Sequence, residues 1–320
     1  MAPPQRRRRA VSPPILGLIG PTAVGKTEFS LALAAELPIE ILVADSRQVY
    51  RGLDVGTAKP LPSAQRLVRH HLLDLVEPDQ PFTVADWLEL ARSLLPQVAA
   101  RGALPLVVAG TGLYLAALVD GYSLDQQPWA PEVRERLGAR LESEGLAALA
   151  SRLAELDPTS AARTDLRNPR RVLRALERAE IVGAQAAASV RTDPYPGRVA
   201  LLGLRRPLEV LDRRIGERVE DMFRRGLLDE TRRLLEAGHA VSQPALTGHG
   251  YAEARRVLVG EWSQERAVAE TARRVRRFAR RQLRWFGRDR RIVWLDLGDT
   301  PANDPVLVRR GSDLLRLLVA

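Results

Sequence analysis

Gly20-Pro21-Thr22-Ala23-Val24-Gly25-Lys26-Thr27 fills every fixed position of the pattern G-x-x-x-x-G-K-[ST]. Such a loop gathers backbone N–H groups around an anion at the start of a helix. The lysine ammonium then reaches the outer phosphate, and the threonine hydroxyl faces a magnesium ion. The chemistry implied is the holding of a diphosphate. Further along, the chain reads Asp45-Ser46-Arg47-Gln48-Val49-Tyr50, a carboxylate followed by hydrogen-bonding side chains. A carboxylate beside a diphosphate can take a proton from a nucleophile, bind the metal, or cap a helix. These residues leave the three roles open.

The flanking pattern explains how such groups would meet. Residues 15–19 form an apolar run of strand length, and residues 28–37 carry apolar side chains at helical spacing. Residues 40–44 read as a second strand that delivers Asp45, and residues 71–76 as a further short one. Residues 83–100 read as an amphipathic helix opened by a threonine cap. Residues 104–109 form an apolar strand that runs into Gly110-Thr111-Gly112. Strands alternating with helices predict an α/β fold, a parallel sheet flanked by helices on the P-loop NTPase-like plan. Ligands then lie at the carboxyl ends of the strands, where the phosphate loop, Asp45 and Thr111 converge. No acid follows the strand at 104–109, where hydrolysing phosphate-loop enzymes keep a magnesium ligand. The chemistry suggested is group transfer, in which the diphosphate departs.

From residue 131 to 180 the spacing is helical and no apolar strand intervenes, which predicts a helical insertion. The expected organisation is a disordered basic tail over 1–14 and a core over 15–124. The insertion spans 125–196, and 197–320 holds the rest of the core and an arginine-rich helical region. That last part includes a strand at 199–204, another at 292–297 and a final helix.

With 320 residues the chain can bury a large core, and the absence of cysteine excludes disulfides, thiolate metal sites and cysteine nucleophiles. No apolar run approaches a membrane span and no secretory leader is visible, so the expectation is a cytoplasmic protein without a membrane partner. Net charge is +10, yet the two lysines are Lys26 and Lys59 and every other cation is arginine. Between Arg273 and Arg291, Asp289 is the one acid among ten arginines. That footprint suits a phosphate-rich partner better than a balanced solvated face.

Taken in order, GPTAVGKT, DSRQVYRGLDVGTAKP, HHLLDLVEP, AGTGLY, NPRRVLRALE and ARRQLRWF resemble the tRNA dimethylallyltransferases. The resemblance runs from about Ile15 to Phe286. It implies transfer of a dimethylallyl group from its diphosphate to N6 of the adenosine 3′ of the tRNA anticodon. Dimethylallyl diphosphate and the anticodon stem-loop would be the partners, magnesium the cofactor with Thr27 as its protein ligand, and the active unit a monomer. By the same resemblance Asp45 is the general base, Thr22 and Thr111 bind donor or adenosine, and Lys26 and Arg218 stabilise the leaving charge. Residues Gly20 to Thr27 hold the donor. Asp45, Ser46, Arg47, Gln48 and Thr111 contact tRNA, as do Arg134, Arg170, Arg171, Val172, Leu173 and Arg174 in the insertion.

Bland readings stand beside these. Arg218 can pair with Glu217 or Asp221 on a surface helix, and Thr111 can cap one. Trp129 and Trp285 can be core residues. Thr247-Gly248-His249-Gly250-Tyr251 keeps the family's Gly-Tyr pair but not its flanks, so His249 is either an RNA contact or an ordinary surface histidine. A nucleotide or small-molecule kinase would share the loop but require a nucleoside triphosphate. An isopentenyltransferase acting on free adenine nucleotides would not need the insertion, and a non-catalytic RNA binder would not need Asp45. If the arginines hold RNA, affinity for tRNA falls roughly 1,000-fold or more between about 50 and 200 mM salt, because phosphate contacts release counterions. Filter binding across a salt series measures this, and a flat profile assigns the arginines to structure.

Overall fold

The computed structural model describes residues 12–121, 130–183, 192–241 and 243–319. All but the last three residues of the basic tail lie outside them, as do Trp129 and residue 125, where the insertion is expected to start. Contacts divide the chain into two compact units, one made of Met1–Val119 and Tyr195–Ala320, the other of Asp120–Pro194.

The first unit opens with β1 (Ile15–Ile19), α1 (Lys26–Leu33), β2 (Ile39–Ala44), α2 (Pro62–Leu67) and β3 (His70–His71). It continues through α3 (Val84–Ala100), β4 (Leu104–Ala109) and α4 (Gly112–Asp120). The second unit supplies α5 (Pro131–Leu156), α6 (Pro158–Arg163) and α7 (Pro169–Val182). The first then resumes with β5 (Val199–Arg205), α8 (Leu208–Arg224), α9 (Leu227–Glu236), α10 (Tyr251–Leu258) and α11 (Gln264–Phe286). It ends with β6 (Ile292–Asp296) and α12 (Pro305–Val319). All strand pairs are parallel, in the order β3-β2-β4-β1-β5-β6. Parallel strands need both faces covered, which is why β1 and β2 are buried at every position.

Register decides where the loops emerge. Ile19 and Ala44 both pair with Ala109, so the segments that begin at Gly20, Asp45 and Gly110 leave one edge of the sheet at one level. Trp87 on α3 is fully buried and its indole N–H donates to the Val43 carbonyl at 2.9 Å, which anchors the end of β2.

Two expected elements need correction. The helix after the phosphate loop starts at Lys26 and stops at Leu33, rather than spanning 28–37, because the next residues turn toward β2. The strand expected at 71–76 shrinks to His70–His71. Leu72 and Asp74 adopt positive φ (67° and 51°), which breaks the pleat and leaves a single bridge from Val76 to Tyr50.

In the second unit, Leu137, Leu149, Leu153, Ala161, Val172 and Leu176 form the core. Asp157 and Asn168 cap α6 and α7 through the N–H groups of Ser160 and Arg171, each ahead of a proline at the first helical position. The Asp157-Pro158 and Asn168-Pro169 steps are therefore helix starts.

A buried carboxylate ties the DVGTAKP segment into the first unit. Glu230 of α9 is 2% exposed and accepts the N–H groups of Asp54, Val55 and Gly56 at 2.8–2.9 Å, together with the Tyr251 hydroxyl at 2.8 Å. Tyr251 packs so closely that a Cβ on Gly56 would lie 2.4 Å from its ring. The Gly-Tyr pair of α10 and the glycine of GTAKP are thus two halves of one contact. Lys59 of the same segment is buried, with its ammonium on the Tyr50 carbonyl and the carboxylates of Asp54 and Asp74. We expect Glu230→Ala to lower stability by about 3 kcal/mol or more, since it strands three backbone donors and a phenol in the interior. Urea denaturation reads this directly, and a loss under about 1 kcal/mol would show that water replaces the carboxylate.

Candidate active site

The phosphate loop is held from outside itself. Gly25 has φ 111°, and a Cβ there would lie 2.5 Å from that of Ala302, so glycine is required by both backbone and neighbour. The N–H groups of Ala23, Gly25, Lys26 and Thr27 have no partner among the described residues, which leaves them for an anion. The carbonyls are taken instead. Arg206, 6% exposed, donates to Val24 O at 2.9 Å, and Arg214 donates to Ala23 O at 3.0 Å. The Lys26 ammonium turns back onto Gly20 O (2.8 Å) and Pro21 O (2.9 Å). Neither Arg206 nor Arg214 was singled out in the sequence, where both look like members of a solvated arginine series.

A cleft of about 740 Å³ opens beside the loop. Thr22, Lys26, Thr27, Asp45, Gln48 and Arg218 line its polar side, and Leu31, Ile41, Val43 and Val108 contribute apolar wall. Gly110 reaches it, whereas Thr111 lies one residue further on, its N–H donating to Ala44 O at 3.3 Å. Lys59 lines the cleft but its charge is spent on Asp54 and Asp74, so it shapes the wall rather than offering a free cation.

Asp45 uses its two oxygens differently. Oδ1 accepts the N–H groups of Arg47 (2.8 Å) and Gln48 (3.4 Å), which fixes the turn after β2. Oδ2 has no hydrogen-bond partner among the described residues. No helix follows, so the helix-cap reading becomes an anchored turn with one oxygen in reserve. Gln48 is oriented by Thr57 O at 3.1 Å, and Arg47 donates to the Pro244 carbonyl. Ser46 is half-buried in the same turn.

Arg218 corrects the surface-pair reading. Glu217 and Asp221 pair with other arginines, Arg213 and Arg224 of α8 and Arg225 just after it. Arg218 has no hydrogen bond or ion pair among the described residues, and it faces the cleft near Lys26 and Asp45. Burial, then the Arg218 charge, push the Lys26 ammonium down to about 7 from its usual 10.5, and Asp45 opposes only part of that shift. Two cations are held close together against their mutual repulsion, as an anion site requires.

Within the second unit, Arg134 and Arg174 both contact Glu177, which is 3% exposed. Val172 is fully buried and Leu173 packs against the same core. The Val172 side chain is enclosed in that core, while Arg134, Leu173 and Arg174 keep part of their surface exposed. Arg170 and Arg171 are exposed.

The arginine-rich helix is less naked than its sequence suggests. Tertiary partners neutralise part of it, with Asp212 against Arg280 and the buried Glu253 against Arg274. Arg277, Arg284, Arg288 and Arg290 are exposed without ion pairs among the described residues. His249 is half-buried. Its ring packs, tilted, 5.2 Å from that of Phe278, and burial followed by the Arg274 charge push its pKa down to about 4. Trp285 is 47% exposed, with its indole nitrogen against the backbone of Gly112.

The family model described as IPP transferase matches residues 48–290, and that described as isopentenyl transferase matches residues 14–76. The chain is 44% identical over 303 residues to a tRNA dimethylallyltransferase of Roseiflexus castenholzii, covering 95% of this chain and 97% of that one. It is 44% identical over 308 residues to a tRNA dimethylallyltransferase of Thermobifida fusca, with 94% of each covered. Among solved structures, the full-length tRNA isopentenylpyrophosphate transferase of Bacillus halodurans is 35% identical, with a TM-score of 0.71. That match covers 95% of this chain and 96% of the other.

A depressed Lys26 makes anion binding proton-linked. At pH 8 the free ammonium is mostly neutral, and a bound diphosphate favours its charged form. Binding of inorganic diphosphate should therefore take up about one more proton in the wild type than in Lys26→Ala. Calorimetry in buffers of different ionisation enthalpy gives the difference, and equal uptake would mean that Lys26 is already charged.

Proposed function

The chain belongs to the IPP transferase family, that of the tRNA dimethylallyltransferases, and from this premise we propose the reaction its cleft performs. A dimethylallyl group passes from dimethylallyl diphosphate to N6 of the adenosine 3′-adjacent to the anticodon, and diphosphate is released. The observation that carries this reading is one cleft holding a cationic phosphate loop, Lys26 and Arg218, and an aspartate with an uncommitted oxygen.

An adenine amino group is a poor nucleophile, since its lone pair is delocalised into the ring. It must lose a proton as the new C–N bond forms, and Asp45 Oδ2 accepts that proton. The allylic C–O bond breaks, its electron pair leaving with the diphosphate. The free N–H groups of Ala23, Gly25, Lys26 and Thr27, with the Lys26 and Arg218 cations, stabilise the departing charge. Leu31, Ile41, Val43 and Val108 offer the isoprenoid an apolar wall.

Magnesium fits the donor set present. Thr27 offers a hydroxyl beside the loop, and among the described residues no cluster of three acidic, histidine or cysteine side chains forms a protein cage. An ion that keeps its waters and binds mainly through phosphates suits such a site. When bound it would supply added charge neutralisation at the diphosphate.

The target adenosine must leave its stack, which is cheapest in a loop, so the anticodon stem-loop is the proposed substrate segment. The exposed arginines of α11 would hold its phosphates, and within the second unit Arg170 and Arg171 are separately exposed for RNA. We take a monomer as the active unit, as the family resemblance implies. No helix among the described residues is long and apolar enough to cross a membrane, and we place the activity with its tRNA in the cytoplasm.

The test is to incubate the protein with unmodified tRNA, magnesium and dimethylallyl diphosphate, then digest the RNA and look for N6-(dimethylallyl)adenosine by mass. Asp45→Asn should lower the transfer rate by about 100-fold or more. Its tRNA affinity should stay near that of the wild type, and normal turnover in the variant would remove Asp45 as the base.

A further inference from the structure

Gln282 lies on α11, in the middle of the arginine series, yet it is only 7% exposed. Its Oε1 accepts the Thr22 N–H of the phosphate loop at 2.9 Å, and its Nε2 donates to the Gly110 carbonyl after β4 at 2.7 Å. One amide therefore spans the two loops that flank the cleft, 260 residues from the first in sequence and 172 from the second. It lines the cleft as well. The bridge needs an acceptor and a donor at once, which among uncharged side chains an amide supplies.

We propose that Gln282 is the positioning residue that holds the donor loop and the β4–α4 loop in register for transfer. The proposal rests on the reaction of the preceding subsection and adds to it a residue that touches neither reacting atom. Thr22 belongs to the loop that grips the diphosphate. Gly110 precedes Thr111, and a Cβ on Gly110 would lie 3.7 Å from Asp45 Oδ2 and 3.5 Å from the Gln282 amide nitrogen. The bridge thus meets the cleft at the free oxygen of the base. Each loop can still bind its own substrate without the amide, because the N–H groups of the donor site and the arginines of the RNA surface are separate. What slackens is the distance between allylic carbon and adenine nitrogen. Misplacement of reacting groups by about 1 Å costs on the order of 100-fold in rate.

The expected signature is a split between turnover and binding. Gln282→Met keeps the volume and removes both hydrogen bonds. Its kcat should fall by about 30- to 100-fold. Its KM for dimethylallyl diphosphate and its Kd for tRNA should each stay within about threefold of the wild type. Gln282→Glu adds a readout that packing alone would not move. An ionised carboxylate keeps the Thr22 acceptor but turns a lone pair toward the Gly110 carbonyl, and its protonated form restores the donor. The variant's activity relative to the wild type should therefore climb as pH falls from 8 to 6, because a carboxyl buried against a carbonyl holds its proton more tightly.

If Gln282→Met turns over normally, or loses activity only through KM, the inference is overturned. A Gln282→Glu ratio flat with pH counts against it too, and this arm serves alone if Gln282→Met does not fold. Wild-type protein that leaves tRNA unmodified overturns the reaction and this inference together. Wild-type transfer beside an unaffected Gln282→Met overturns this inference alone.

Discussion

A loop that must present its backbone N–H groups to an anion cannot use them to hold itself together. That constraint organises this protein. Among the described residues the N–H groups of Ala23, Gly25, Lys26 and Thr27 have no partner, and the loop is held by its carbonyls and its edge. Arg206 and Arg214 take two of those carbonyls, and Gln282 takes the one N–H at Thr22. Each support comes from beyond the second unit in sequence. The C-terminal half of the chain is therefore required for the N-terminal motif to have its shape.

The same economy governs charge. Lys26 and Arg218 stand in one cleft, and Arg218 contributes to driving the lysine toward neutrality. Such a pair is costly without an anion between its members, and in the proposed reaction it would favour charge developing on the leaving group. Along α11 the opposite occurs. Asp212 and Glu253 neutralise Arg280 and Arg274, and the arginines left exposed form a smaller cationic surface than the sequence count implies. The helix serves three purposes, presenting arginines outward, ion-pairing inward and placing Gln282 against the cleft.

Much of the site was legible because local chemistry constrains it. The phosphate loop needs glycine at a left-handed position and lysine at a fixed offset, and Asp45 follows a strand whose register is set by its apolar pattern. The strand expected after His71 failed because Leu72 and Asp74 adopt positive φ, a tertiary demand that propensity does not encode. Val172 and Leu173 sit inside an arginine-rich motif, and motif membership says nothing about which face of a helix is buried. The residues alone leave His249 between an RNA contact and a surface histidine, because its ring partner, Phe278, is remote in sequence.

The sequence by itself determined the α/β plan, the diphosphate loop, the aspartate beside it and the excess of arginine, since each is written in a contiguous run of residues. Only the tertiary structure decided which arginines are free and which are paired. It also decided that Lys59 and Tyr251 are supports and that Gln282 bridges two loops. Those outcomes depend on partners tens to hundreds of residues away. A side chain's role there is set by what it meets across the fold, not by its neighbours along the chain.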